Sequence, residues 1–377
     1  MSDPLTRRRF TAGALLGAAG STLGARGPAG PPRPGERPPR HAPGAAPEPL
    51  RLRLGTDAYS FRATHWEALE ALDYAAKIGL DSLQFSEFPE IARSREKATD
   101  PQYLKQVRAR ASALGIQLEM GAACVCPTSR AFHPAWGTAE EQLALAIRCA
   151  SILGARVVRC VVGNQVERAE NGPIERHIDA MVRVCRAVRR QALEAGVKIA
   201  IENHKDLRAE EMRRLIEQAG PDYVGSCLDT GNPIWVVEDP LQTVEILAPY
   251  SVTSHFRDTA IWRDPRGAAF TWVAMGEGSV GIDHVVREFA RRAPHATFNL
   301  EIITGRPPAI LNYLEPEFWK PFEKVKAGDF GRVVALAAGG RPYRAARMAP
   351  NDPDQQRADL ERSVKYCRET LGVRWRA

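Results

Sequence analysis

The sequence predicts an α/β fold, a (β/α)8 TIM barrel with a C-terminal helical extension. Two observations carry this. Short apolar runs alternate with amphipathic helical stretches along the chain, the arrangement that builds a parallel sheet. In the second half, four such runs each end in a metal-capable side chain. They read Val197-Lys198-Ile199-Ala200-Ile201-Glu202, Val224-Gly225-Ser226-Cys227-Leu228-Asp229, Val252-Thr253-Ser254-His255 and Phe298-Asn299-Leu300-Glu301. The rival, a doubly wound open sheet, would need a glycine-rich phosphate loop after an early strand, and the sequence has none there.

Each element follows from its residues. Leu52 to Ser60 reads as strand one, and Trp66 to Ile78 as a helix that Gly79 closes. Ser82 to Phe85 is strand two, Pro101 to Leu114 a helix, and Ile116 to Met120 strand three. Thr138 with Glu141 at the third following position forms a capping box for a helix to Leu153. Arg156 to Val162 is strand four, and Ile174 to Ala195 one long helix ended by Gly196. The four ligand-bearing runs are strands five to eight, with helices near Ala209–Ala219, Pro240–Leu247 and Asp283–Arg292. Eight strand–helix units make a barrel of about 250 residues whose site lies at the strands' C-terminal ends. Beyond a Pro-rich loop and the apolar stretch Phe318 to Ala338, Asp354 to Leu371 reads as a terminal helix. Its apolar face is Leu360, Val364, Cys367 and Leu371. The domain boundaries expected are 51–330 for the barrel and 331–377 for the extension.

Charge locates the unusual part of the chain. The formal net charge is +7, but residues 1–53 hold nine Arg against three acids, leaving 43 basic and 42 acidic residues after position 53. A near-neutral domain lacks the electrostatic footprint of a duplex-binding protein. Thr6-Arg7-Arg8-Arg9-Phe10 precedes a weakly apolar stretch from Thr11 to Ala25, too short for a mature membrane span. Residues 1–26 thus resemble a twin-arginine signal, which implies export through the twin-arginine machinery to a periplasmic or extracellular location. A disordered basic tail is the bland alternative. No cysteine follows the apolar stretch, so no lipid anchor is expected after cleavage. Residues 27–50 read as a Pro/Gly/Ala-rich disordered spacer. The seven cysteines form no paired framework, and Cys124-Val125-Cys126 has one spacer residue rather than the two of a redox or zinc motif. They are expected to be structural.

Glu202, Asp229, His255 and Glu301 arrive at the ends of consecutive strands, which brings them within reach of one ion. Three buried carboxylates would repel one another without a cation, and the oxygen-rich set suits a divalent metal. One such ion is expected: Mn²⁺ or Mg²⁺ for preference, with Zn²⁺ and Co²⁺ as alternatives.

The stretches Ile201-Glu202-Asn203-His204, Leu228-Asp229-Thr230-Gly231-Asn232, His255-Phe256-Arg257-Asp258 and Met275-Gly276-Glu277-Gly278 resemble the xylose isomerase-like sugar isomerase/epimerase family. The likeness runs from about Leu54 to Glu301 and includes Thr56-Asp57-Ala58-Tyr59-Ser60-Phe61 at the first strand. It implies that Glu202 and Glu301 bind the metal and also form the acid/base pair, with Asp229 and His255 completing the coordination. The implied reaction is isomerisation or epimerisation of a sugar, keto-sugar or cyclic polyol through a metal-stabilised enediolate. A lyase or dehydratase would use the same site. The motifs say little about the substrate.

The chain also departs from the family pattern. Asn232 stands where a His often follows the metal Asp, and His204-Lys205-Asp206 replaces a His-Gly-Gly. Lys205 either reaches an anionic substrate group or lies on the loop surface. Asp258 either orients His255 or caps the next turn. His204, Asn232, Asp258, Tyr59 and Trp262 are the candidate substrate contacts, and Trp136 and Trp235 also fall in strand-end loops. A DNA phosphodiesterase of a related barrel would need further His ligands near Glu87 and Glu119, where none occurs. A non-catalytic carbohydrate-binding barrel is the remaining class. The expected partner is a small carbohydrate or polyol, with no nucleic acid, and a homo-oligomer is left open.

Overall fold

The strand-forming runs pair in chain order and in parallel. The computed structural model describes residues 48–344 and 348–375. The leader expected over 1–26 and most of the spacer lie outside the described residues. The first seven strands are β1 (Leu54–Asp57), β2 (Ser82–Phe85), β3 (Gln117–Cys124), β4 (Val157–Val161), β5 (Lys198–Glu202), β6 (Val224–Asp229) and β7 (Ser251–His255). An antiparallel hairpin, β8 (Asp258–Asp264) and β9 (Gly267–Val273), precedes β10 (Phe298–Leu300) and β11 (Ala309–Leu311). The eight-stranded sheet runs β10-β1-β2-β3-β4-β5-β6-β7. Its two edges meet where Phe256 N donates to Asn299 O at 2.7 Å and Glu301 N to Phe256 O at 3.1 Å. The ring is thereby closed, as a (β/α)8 TIM barrel requires.

The barrel's interior explains why its strands are not purely apolar. Glu119 lies in mid-strand, and its Oε2 accepts from Gln84 Nε2 (2.8 Å), Thr253 Oγ1 (2.5 Å) and Asn299 Nδ2 (2.9 Å). This bonded layer, drawn from four strands, forms a polar floor for the side chains above it. Gly55 is required beside it, because a Cβ there would lie 2.1 Å from Asn299 Oδ1.

The helices follow the predicted periodicity, with local differences. Thr138 caps the helix Ala139–Leu153 by accepting from Glu141 N, with Glu141 reciprocating. The stretch expected as one helix from 174 to 195 is two, Ile174–Ala187 and Arg189–Ala195, because Val188 leaves the helical range at φ −100°, ψ 7°. The segment after β7, expected to be a loop, is the hairpin β8–β9, extended by β11 into a three-stranded sheet ordered β11-β9-β8. Both strands of the hairpin are buried along almost their whole length, so no polar–apolar alternation announces them. The helix Ala327–Gly339 packs on this sheet, through a cluster that includes Ile261, Phe270, Val333 and Ala337.

The terminal helix Pro353–Glu369 buries Leu360, Val364 and Cys367. Its Gln356 Oε1 accepts from Ala63 N at 2.9 Å and its Ser363 Oγ from Met275 N at 3.1 Å. It thus ties together the loop after β1 and the loop after the hairpin. All seven cysteines are free and buried. Among the described residues, no helix is long and apolar enough to cross a membrane.

Candidate active site

Glu202, Asp229 and His255 are the last residues of β5, β6 and β7, and Glu301 immediately follows β10. Parallel register places Asp229 opposite His255, and each of the four side chains points above the polar floor. One ligand atom from each lies within 4.8 Å of all the others. Glu202, Asp229 and His255 are fully buried and Glu301 nearly so.

Hydrogen bonds orient each group. Asp229 Oδ1 accepts from Gly231 N and Asn232 N, both at 2.7 Å, so the turn after β6 fixes that carboxylate. Asn203 bonds the backbone of Asp229 through Oδ1 (2.8 Å) and Nδ2 (2.9 Å). Asn232 Nδ2 donates to Glu202 Oε1 at 3.1 Å. His255 Nε2 lies 2.6 Å from Gln84 Oε1. Since that oxygen only accepts, Nε2 carries the proton. His255 Nδ1 is buried without a hydrogen-bond partner, 3.2 Å from Glu202 Oε2 and 3.5 Å from Glu301 Oε2. Glu301 Oε2 likewise has no partner in hydrogen-bond geometry, although a guanidinium lies beside it. A lone pair facing two carboxylate oxygens is stable only with a proton or a metal cation between them. The donor set therefore fits a divalent cation, held by Glu202, Asp229, Glu301 and His255 Nδ1.

Two buried arginines complete the electrostatics. Arg159, inside β4, donates through Nε to Glu202 Oε2 at 2.6 Å. Arg257, two residues beyond His255, ion-pairs with Asp229 Oδ2 and lies 2.7 Å from Glu301 Oε2. Burial would raise the Glu202 carboxyl, but Arg159 and His255 outweigh it and hold it well below the usual carboxylate range. Burial pushes the Asp229 carboxyl up to about 6 despite Arg257. Neither arginine stood out in the sequence as a site residue. The available signal was a lone charge in the apolar run Val157–Val161, since a buried guanidinium must find a buried carboxylate.

A cavity of about 240 Å³ opens above the cluster, bounded by Glu301, Arg257, Tyr59, His204, Lys205 and Trp272 among others. Tyr59 and His204 thus stand in its wall. His204 Nδ1 bonds Gly163 O at 2.7 Å, and burial brings the ring down to about 4, which leaves it neutral at pH 7. Asn232 lies beneath, against Glu202. Asp258 turns away: its carboxylate accepts from Gly276 N and Gly278 N at 2.9 Å and from Thr259 N at 2.8 Å. Trp262 packs with Ala260, Ala269 and Val273 on one face of the hairpin. Strand alternation gives the opposite face to Phe270 and Trp272, and Trp272 is the hairpin aromatic that reaches this cavity. Gly231 makes room for it, as a Cβ there would meet Trp272 Nε1 at 2.7 Å. Trp136 is surface-exposed beside Arg95. Lys205 is half-buried, not on the open loop surface.

A closed parallel barrel carrying three carboxylates and an imidazole at its strand ends defines a barrel with a candidate divalent-metal centre. The chain belongs to the xylose isomerase-like TIM barrel family, whose model matches residues 72–319. It is 23% identical over 241 residues to the 3-oxo-isoapionate decarboxylase of Pectobacterium atrosepticum, a match covering 62% of this chain and 78% of that protein. Its fold is similar to D-psicose 3-epimerase from Clostridium cellulolyticum, solved with D-tagatose. The TM-score is 0.55 and the identity 13%, over 86% of this chain and all of that one. It is also similar to the IOLI protein solved with a zinc atom, with a TM-score of 0.52 and 14% identity over 76% and 95% of the two chains.

Proposed function

We propose that this protein is a metal-dependent isomerase or epimerase of a sugar, keto-sugar or cyclic polyol, working by proton transfer next to a carbonyl. The observation that carries the reading is the pair Glu202 and Glu301 meeting around the unpartnered His255 Nδ1 at the cavity floor. A divalent cation bound there supplies Lewis-acid stabilisation of charge developing on a carbonyl oxygen. The remaining work falls to the chain's own groups. Glu301 lines the cavity, with Oε2 steadied by the Arg257 guanidinium at 2.7 Å, so it is the carboxylate placed to meet a substrate proton. Glu202 is kept ionised by Arg159 and oriented by Asn232, and it serves the other side of the reacting carbon. Asp229 and His255 would hold the ion. Arg257 presents a fixed cation to a substrate oxygen at the cavity edge.

A second reading, a lyase, is favoured by the likeness to a decarboxylase over 62% of the chain. Loss of CO₂ from a 3-oxo acid leaves the C–C electron pair as an enolate, which needs the same cation and then one proton from a carboxyl. The arginine-rich leader motif Arg7-Arg8-Arg9-Phe10 supports export by the twin-arginine route as part of the proposal.

The test is solvent deuterium incorporation into candidate ketoses and inososes with Mn²⁺ present. Glu301→Gln and Glu202→Gln, each assayed as folded protein, lower the exchange rate by about 10²–10⁴-fold. Undiminished exchange in both variants rules out the assigned pair, and CO₂ release from a 3-oxo acid without exchange into ketoses selects the lyase.

A further inference from the structure

The strand-end cavity does not stop at the metal ligands. A second chamber of about 300 Å³ adjoins it, walled by Trp235, Phe270 and Trp272 and by the segment around Ile303 and Pro307. Lys205, Trp272, Ile303 and Arg306 line both chambers, so these residues form the passage between them. The outer chamber is walled in part by the hairpin and the segment leading to β11, additions to the eight-unit barrel, and in part by loops after β4, β5 and β6.

Two cations stand at that passage without an anionic partner. Lys205 Nζ lies 5.1 Å from the ring centre of Trp272 and 5.5 Å from that of Trp235. Neither Lys205 nor the Arg306 guanidinium makes an ion pair among the described residues. Elsewhere in the cleft the guanidiniums are matched, Arg159 to Glu202 and Arg257 to Asp229 and Glu301. Lys205 also sits at φ 65°, a left-handed backbone position that a lysine adopts only when its surroundings hold it there. Burial first, with Arg257 and Arg306 adding to it, makes its ammonium harder to keep charged, and Glu301 and Asp229 only partly oppose this. Arg306 is exposed at the mouth, so the half-buried Lys205 is the cation that an anion relieves, with Arg306 within reach of the same group.

We propose that the substrate is an acidic sugar whose carboxylate or phosphate is held by Lys205 and Arg306 in this passage, while its carbonyl end lies over Glu301. The proposal rests on the strand-end cleft being the substrate site; it is independent of which proton-transfer or lyase reaction occurs there. Trp235 and Trp272 give the apolar wall for the sugar's C–H face.

The test is calorimetric titration of the full chain, with Mn²⁺ and again after chelation. The three probes are 2-keto-D-gluconate for a carboxylate, D-fructose 6-phosphate for a phosphate, and neutral D-fructose. At least one acid binds about tenfold or more tightly than fructose, and the preferred acid identifies the group. Lys205→Met and Arg306→Met each weaken that acid by about tenfold and leave the Mn²⁺ affinity unchanged. Lys205→Arg restores binding, which separates loss of the charge from loss of the fold. Equal binding of all three probes, no saturable binding of either acid, or acid binding unaffected by both Met variants overturns the proposal. Charge-dependent acid binding that persists after chelation upholds it even if the deuterium-exchange test fails.

Discussion

Arg159, in the middle of β4, and Glu202, at the end of β5, form a buried ion pair, with Nε 2.6 Å from Oε2. Both side chains are almost wholly removed from water. Arg159 Cα is in register with Ala200, two residues below Glu202, so the arginine reaches up along the barrel wall to the carboxylate. The pair gives Glu202 a permanent counter-charge whether or not a metal is bound. Truncating one partner leaves the other buried and unmatched. Arg159→Met is therefore expected to cost about 3–5 kcal/mol in denaturant unfolding. Adding Glu202→Gln to Arg159→Met should recover much of that loss. Purely additive losses in the double-mutant cycle would show that the two charges are not coupled.

The cation site makes a prediction about stability that does not depend on turnover. The four ligands come from strands far apart in the chain, so an ion bound by all of them stabilises only the folded state. At 100 times its dissociation constant, a divalent ion should add about 2.7 kcal/mol. Thermal unfolding with and without Mn²⁺ measures this. Asp229→Asn and His255→Ala should each erase the Mn²⁺-dependent increase in Tm, whereas Trp262→Phe, remote from the cluster, should retain it.

Asp258 offers a contrast within the same motif. It follows His255 by three residues, yet its carboxylate is spent on the amides of Thr259, Gly276 and Gly278. Replacing it with Ala removes three charge-assisted bonds and should destabilise the fold by about 3 kcal/mol or more. Mn²⁺ affinity of the folded variant should be unchanged. A large loss of metal affinity with little loss of stability would instead mark Asp258 as a residue that orients His255.

Asp206 is a buried acid whose Oδ2 has no hydrogen-bond partner. Burial pushes its carboxyl up to about 7, against the stabilising N–H of Leu207. In the unfolded chain it titrates near ~3.9. Between those values the folded state binds the extra proton, so this group's contribution to stability grows as pH falls from about 7 to about 4. Asp206→Asn keeps the acceptor for Leu207 N and removes the titration. The variant should be the more stable protein at pH 8, and its advantage should shrink by up to about 1.4 kcal/mol per pH unit below pH 7. Parallel stability–pH curves for the two proteins would refute this.

Much of the barrel and its strand-end cluster could be read from the chain. A buried parallel strand needs a run of apolar residues, so a carboxylate or imidazole closing such a run stands out against it. Eight alternating units then bring all strand ends to one rim, and Glu202, Asp229, His255 and Glu301 follow without knowledge of any contact. The capping box at Thr138 and the apolar face of the terminal helix were equally local signals.

Other features required the folded chain. The pairing of Arg159 with Glu202, and of Arg257 with Asp229 and Glu301, depends on which side chains meet across strands. The roles of Trp262 and Trp272 were decided by the hairpin's two-residue alternation, which packs one tryptophan on the face away from the cleft and turns the other into it. Asp258 was drawn from the cluster by amides nearly twenty residues away. The passage at Lys205 and Arg306 exists only because the hairpin and the segment after β10 fold over the rim. Residue type and spacing specified what the strand ends could bind, and long-range packing decided what surrounds them.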